Sequence, residues 1–533
     1  MRELAKLFYG GHIYTMSARR PVGDAMIVDG DRVAWIGSAA QLSAVPSDSY
    51  EMIDLEGGTI LPGFIDSHTH LCTWALSLKD IDLDGVSSYA QALRVVKSHA
   101  DKRRAGDKSW LTGKGWQKEQ WRDIRWPHKS DLDKIVPDRP VALLSKDGHL
   151  LWVNSQTLAL ADINRNTPDP ESGIIDKDEN GEPTGILKEK AAWQVLALDP
   201  GPGRRRSRQA LRDGIALMLQ KGCVGVTNFD YTDGFDLLQS LDIEGKLPVK
   251  VVQYLPSNYI DDAVRLRLRS GFGSEYLKIG GIKLFADGAL GSQTAALLKP
   301  YRGSRTNRGI EVTSAVDLKR LVRVCTRAGL ACAIHAIGDR ANRNALDAIQ
   351  AAGRQVTKKY RHRIEHCQIV SPADIKRFAE LNIIASMQPT HATADLDLMK
   401  RYLGHRRYDS FRWRTLINLG VTVPFGSDAP IEPLDPIAGI YAAVVGRRSP
   451  GGSCFNRKEL LTMEAAVHGF TVSGAQAIGQ ERIRGSLEPG KKADFVILDR
   501  DLLHIKPAEI LKTKVMATFI NGRKMYSRQG FLE

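Results

Sequence analysis

Eight short apolar runs separated by helical stretches across residues 59–480 predict an α/β chain built on a (β/α)8 TIM barrel. Two further observations organise the rest. Both ends of the chain are β-prone and punctuated by turns, which suits a composite β-sandwich made from residues 1–58 and 481–533, since chain termini often lie close together. The stretch 71–212 breaks the alternation and is too long for a simple connection, so it reads as an inserted subdomain. It leaves the chain directly after the first barrel strand and is expected to form a lid covering the active-site face. The barrel then takes residues 59–70 and 213–480, about the length such a fold requires.

The N-terminal segment opens with Lys6 to Tyr9 before Gly10-Gly11, then Ala25 to Val28 and Val33 to Gly37 around Asp29-Gly30-Asp31, a hairpin signal. The barrel strands are expected at Ile60 to Asp66, Cys223 to Phe229, Val249 to Tyr254 and Ile279 to Ala286. They continue at Ala331 to Ile334, Arg363 to His366, Ile383 to Met387 and Val421 to Gly426. Residues 315–328 and 339–352 carry helical periodicity between them. The C-terminal end returns to β, with residues 485–498 and 515–523 supplying the other part of the sandwich.

Composition excludes several classes. At 533 residues with 43% hydrophobic and 26% charged side chains, the chain reads as soluble and globular. No apolar run approaches the roughly 20 residues of a membrane span, and Met1 to Ser17 lacks a signal-peptide core, so a cytoplasmic location is expected. The six cysteines are scattered without a Cys-x-x-Cys pair and read as buried free thiols. Cys332 and Cys367 adjoin polar strand tips, but neighbours in a strand face opposite ways. The net charge of +14 and the basic run at residues 201–208 invite a nucleic-acid reading; no zinc finger, helix-turn-helix or aromatic-interleaved basic motif accompanies them, so a solvated loop and no nucleic-acid partner are expected.

The chemistry is concentrated at strand ends. His68 and His70, one residue apart, share a strand face and aim two imidazoles together, a start for a divalent-metal site. Lys283 falls on the same strand face as Gly281, Phe285 and Asp287 and so points into the barrel. A buried ammonium is costly. It is either paired with Asp287 or another carboxylate, or neutral and able to take up carbon dioxide as a carbamate that bridges two metals. His335 and His366 follow their own apolar strands, and Asp428 follows residues 424–427. Any one of these suits a satisfied core residue; five strands each ending in a metal-capable group point to a metal centre.

In that order, His-x-His, lysine, His, His and Asp on a barrel with a split sandwich resembles the amidohydrolase superfamily. The stretches FIDSHTH, DGHLLWVNS, GIKLFADGALGSQTA, IHAIGDRA, RIEHCQ, MQPTH and FGSDAP resemble the branch that includes N-substituted formamide deformylases, and LEPGKKADFVILD resembles its C-terminal sandwich. The resemblance covers essentially the whole chain. It implies that His68, His70 and Asp428 hold a first metal and that His335 and His366 hold a second. It further implies that a carbamylated Lys283 bridges them, and that Asp428 serves as general base and then acid. One or two divalent ions are implied, zinc first, with manganese or iron also suited to the ligands. Substrate-side candidates are Trp116 as an apolar wall, His149 polarising a carbonyl, and Asp287, Gln388 and His391 as contacts, with Glu365 supporting the ligands from behind. A homodimer is the assembly implied.

The resulting expectation is a metal-dependent amidohydrolase that uses a metal-activated water to hydrolyse a carbon-nitrogen bond, an amide or formamide, of a small molecule. Two alternatives stand beside it. The same site would serve a cyclic amide, lactone or ester, and a non-catalytic scaffold or regulatory protein would keep the fold without the chemistry.

Overall fold

The computed structural model describes residues 4–19, 21–42, 49–102, 108–146, 148, 150–171, 173–201, 203–353 and 360–532. These divide into two compact units, Met1–Trp74 with Asp213–Glu533, and Ala75–Arg212.

The first unit contains the barrel. Seven parallel strands follow one another in chain order: β1 (Phe64–Thr69), β2 (Cys223–Asn228), β3 (Lys250–Pro256), β4 (Leu277–Phe285), β5 (Ala331–Ala336), β6 (Arg363–His366) and β7 (Ile384–Ser386). Their residues are almost continuously buried, as expected of parallel strands covered on both faces. The eighth position is filled by residues 422–429 through individual backbone bonds rather than a regular ladder. On one side Ala385 and Met387 donate to Thr422 and Pro424, and Gly426 donates back to Met387. On the other, Ser67 and His70 donate to Phe425 and Ala429, and Asp428 donates to His68. These bonds close the barrel between β7 and β1.

The run expected as one strand from Ile60 to Asp66 is two. Thr59–Pro62 pairs antiparallel with Phe495–Leu498 in the sandwich, and β1 begins after Gly63. The Gly63 N–H donates to Asp494, and a Cβ at this position would lie 2.3 Å from Val224, so only glycine lets the chain pass from one sheet to the other here. The sandwich consists of a four-stranded sheet, with Ala5–Tyr9 between Ala25–Asp29 and Tyr50–Asp54, and a six-stranded sheet that mixes N- and C-terminal strands. Phe8, Phe495 and Phe519 meet in its core, the last two stacked at 4.5 Å. The expected hairpin is present, with Gly30 at φ 58° in the turn between Ala25–Asp29 and Arg32–Gly37.

Helix Ala315–Ala328 forms where periodicity placed it, capped by the Ser314 hydroxyl, which accepts from Asp317 N–H, and ended by Gly329 at φ 84°. The second expected helix spans Asp339–Ala351. The basic run is not a loop: residues 203–208 open the helix Gly203–Gln220, because arginine is a good helix former and the run continues into alanine and leucine.

The second unit is built on a six-stranded sheet, in which Leu111–Trp116 and Val141–Ser145 are parallel and Leu150–Val153 and Pro183–Glu189 follow antiparallel. It buries apolar residues on both faces, with Trp116, Trp121, Trp152 and Tyr89 on one of them. Among the described residues of the chain, no helix is long and apolar enough to cross a membrane.

Candidate metal centre

The carboxyl ends of β1, β4, β5 and β6, together with the segments after β7 and at the eighth position, bring the six expected ligand groups and His391 to one place. His68 lies inside β1, 1% exposed, and His70 directly follows that strand, their rings 6.0 Å apart. Asp428 Oδ1 lies 3.4 Å from His68 Nε2 and 3.6 Å from His70 Nε2, while its Oδ2 lies 3.8 Å from His391 Nε2. The His366 ring packs between those of His68 at 4.8 Å and His335 at 4.5 Å, and stacks on His391 at 6.0 Å. Two donor sets, His68 with His70 and Asp428, and His366 with His391 and Asp428, each gather ligand atoms within 4.8 Å. Both share the one carboxylate.

Second nitrogens fix how the rings face. The Glu365 carboxylate accepts from His68 Nδ1 at 2.6 Å, and the Gln388 amide oxygen accepts from His366 Nδ1 at 2.9 Å, so each leaves its Nε2 lone pair for the site. His335 is turned the other way: its Nε2 donates to the Gly288 carbonyl at 3.1 Å, which leaves Nδ1 as its lone-pair nitrogen. Glu365 is itself held by the fully buried Arg363, whose guanidinium also reaches Ser386 Oγ at 2.7 Å, Thr227 Oγ1 at 3.4 Å and the Ser67 carbonyl. One arginine thereby ties β1, β2, β6 and β7 behind the histidines.

Burial dominates the electrostatics. It holds His70 down to about 4, although Asp230 pulls the other way, and brings His391 to about 4 and His335 to about 3. His68 and His366 are also held well below the ordinary imidazole value, by burial first. Neutral imidazole is the form that binds metal. Burial lifts the Asp428 carboxyl to about 7 against the charge of Lys283, and brings the Lys283 ammonium down to about 8 against Glu365 and Asp428. Lys283 has no hydrogen bond or ion pair among the described residues; its Nζ lies over the Phe229 ring at 4.2 Å. His366 at φ 71° and Asp428 at φ 59° stand in the left-handed region, which costs a residue with a side chain about 1–3 kcal/mol. The surrounding hydrogen bonds hold them there.

The pairing of Lys283 with Asp287 is not formed. Asp287 accepts three backbone N–H groups, from Ala296 at 2.8 Å, Ile337 at 3.0 Å and Gly338 at 2.8 Å, and so pins the loops after β4 and β5 together. Its carboxyl is lifted to about 7 by burial in spite of those bonds. Gln388 is spent on His366, with its Nε2 buried and unpartnered. His391, expected to contact substrate, faces Asp428 beside His366, its Nε2 buried without a hydrogen-bond partner among the described residues. Trp116, expected as an apolar wall, is 1% exposed in the core of the second unit, its indole N–H donating to Leu143 at 2.7 Å. His149 lies outside the described residues. The cysteines are free thiols, five of the six buried.

Sequence reasoning passed over several supports. Asp66 accepts from His68 N–H and Ser427 N–H, each at 3.0 Å, and so couples the first ligand strand to the segment carrying Asp428. Asp230 accepts from Cys72 and Thr73 and fixes the helix that starts after His70. Phe229 lies under His68 at 4.3 Å. A charged residue inside an apolar strand was the available signal for Asp66 and Arg363.

The donor sets and the unpartnered His391 Nε2 suit a divalent ion. Residues 51–526 match the model of the amidohydrolase family. The chain belongs to that family. Over 98% of this amidohydrolase and 99% of the relative it is 34% identical to YtcJ of Bacillus subtilis, whose name places it among amidohydrolases and gives no substrate. It is 27% identical to the N-substituted formamide deformylase of Arthrobacter pascens, over 99% of both chains. The crystal structure of an uncharacterized metal-dependent hydrolase from Pyrococcus horikoshii superposes with a TM-score of 0.79 at 29% identity, covering 94% of this amidohydrolase and 99% of that chain. The chain is thus a hydrolase of this family with histidine and aspartate groups able to hold a metal.

Proposed function

We propose that the chain hydrolyses a carbon-nitrogen bond, that of a linear amide or formamide, in a small molecule. The observation that carries this reading is the meeting of four imidazoles, those of His68, His70, His366 and His391, around the single carboxylate of Asp428 at the carboxyl end of the barrel, where barrel enzymes place their chemistry. His68 and His70 with Asp428 would hold one ion, and His366 with His335 or His391 a second, zinc being best suited to the donors. Such an ion supplies Lewis acidity toward a carbonyl and a water acidic enough to attack it near neutral pH.

The remaining work belongs to the chain. Asp428, placed between the imidazoles, is positioned to take a proton from the attacking water and return it to the departing nitrogen. Glu365 and Gln388 hold His68 and His366 in the tautomers that leave Nε2 free. Lys283, unpaired and brought down to about 8, is suited to carry a carbamate toward the same place. The deformylase relative supports the choice of bond, and the presence of every expected ligand side chain speaks against a scaffold.

Metal content of freshly purified protein, an intact mass sensitive to a carbamate, and a panel of formamides, linear amides, cyclic amides and lactones test this together. One or two equivalents of zinc with turnover of amides or formamides supports the proposal. Turnover confined to lactones transfers the site to ester chemistry. Protein that binds no metal and turns over nothing on the panel overturns the proposal.

A further inference from the structure

At the opposite end of the barrel, where β4 begins, a separate cavity of about 230 Å³ opens between the barrel and the sandwich of the first unit. Its walls carry five cations and one carboxylate: Arg32, Lys278, Arg482, Arg484 and Lys492 against Glu275. Neighbouring carboxylates answer part of that charge. Asp494 takes Arg484, Asp31 takes Lys492 and approaches Arg32 at 3.5 Å, and Glu275 lies 3.6 Å from Lys492. Lys278 and Arg482 have no carboxylate within 4.0 Å and no hydrogen-bond partner among the described residues. Glu275 is further committed to Lys250 at 2.7 Å, so it has little left to offer them.

Two buried side chains on the wall are also incompletely partnered. Among the described residues, Arg484, 4% exposed, has no hydrogen-bond partner at Nε, and Gln480, 6% exposed, has none at Oε1. Enclosed polar groups without partners are uncommon and costly. Guanidinium and ammonium donors converging on a concave site with surplus positive charge match the oxygens of a phosphate. The volume accommodates that anion with part of its hydration.

We propose that this cavity binds a phosphoryl-bearing anion, held by Lys278, Arg482 and the free edge of Arg484. The site is built around the first residues of the strand that carries Lys283 five positions later, so occupancy would anchor β4 at the end remote from the chemistry.

The test is thermal unfolding of the full-length protein at matched ionic strength, titrated with inorganic phosphate, with a phosphomonoester, and with chloride as control. Saturable stabilisation by phosphate of about 2 °C or more beyond chloride is expected. It should be lost in the Lys278→Ala/Arg482→Ala double variant and kept in His68→Ala, which separates this site from the metal centre. An equal response to the phosphomonoester assigns binding to the phosphoryl group at large, and a response to inorganic phosphate alone assigns it to free phosphate. No shift beyond chloride, or a shift that survives the double variant, overturns the proposal.

Discussion

The two ends of the barrel treat charge in opposite ways. At the carboxyl end, Lys283 lies over an aromatic ring without a counter-ion, Asp428 is lifted to about 7, and five imidazoles are kept neutral by burial. At the amino end, Glu275 lies among Lys250 at 2.7 Å, Lys492 at 3.6 Å and Arg484 at 4.0 Å, Arg484 is paired with Asp494, and Lys250 stacks on Tyr276 at 3.4 Å. The first arrangement stores unfavourable electrostatics for chemistry; the second spends charge on joining barrel to sandwich. This is the division that barrel enzymes show between their catalytic and stabilising faces.

Substitutions at the two ends should therefore have separable effects. The largest is expected from Asp428→Asn, which removes the proposed proton carrier and should lower kcat by about 10²–10⁴-fold. Folding should not suffer, because the amide replaces a carboxylate whose charged form burial already disfavours. Steady-state kinetics beside thermal unfolding would check both halves; retained turnover would contradict the assignment of Asp428. The converse substitution is Arg484→Met. Breaking a buried ion pair leaves Asp494 uncompensated and should cost about 3 kcal/mol in denaturant unfolding, with kcat per folded molecule unchanged.

The contrast also explains what was legible beforehand. His68, His335, His366 and Lys283 stand out because an apolar run interrupted or ended by a polar side chain is visible in one dimension. Their partners are not. Arg363 reaches back to the Ser67 carbonyl across nearly three hundred residues, and Asp66 meets Ser427 from the opposite end of the barrel sequence. Gln388 reads as a residue awaiting substrate until its contact with His366 is known. The helices at Ala315–Ala328 and Asp339–Ala351 were legible from periodicity, whereas the break at Gly63 was not, since it depends on Val224 and Asp494. Trp116 was read as a pocket wall from its place beside a glycine, and its packing against Trp121 and Trp152 depends on residues distant in the chain.

A smaller effect separates ligands from the groups that orient them. Gln388→Met keeps side-chain volume near that of glutamine and removes the oxygen that accepts from His366 Nδ1. Metal affinity should fall by about 10–100-fold, the usual consequence of losing such an outer partner. The melting temperature of metal-stripped protein should stay near wild type. Competition against a fluorescent chelator measures the first and calorimetry of the stripped protein the second. An unchanged affinity would mean that His366 is oriented by its ring neighbours alone.

The smallest effect belongs to Glu275 and runs with pH. Partial burial pushes its carboxyl up, but hydrogen bonds from Lys250 and Asn521 and the charges of Lys250 and Lys492 outweigh this and bring it down to about 2. A carboxyl whose folded value lies below its unfolded value, near 4.3 for glutamate, binds fewer protons folded than unfolded between the two. Its stabilising contribution is therefore complete above the unfolded value and is lost as pH falls toward the folded one. Glu275→Gln should flatten the fall in stability between about pH 4.5 and 2, and its effect at neutral pH should remain under about 1 kcal/mol because the side chain is 45% exposed. Urea unfolding across that range checks it. Parallel curves for the variant and wild type would show that the amino-end charges are held by the rest of the network, with Glu275 contributing nothing that titrates.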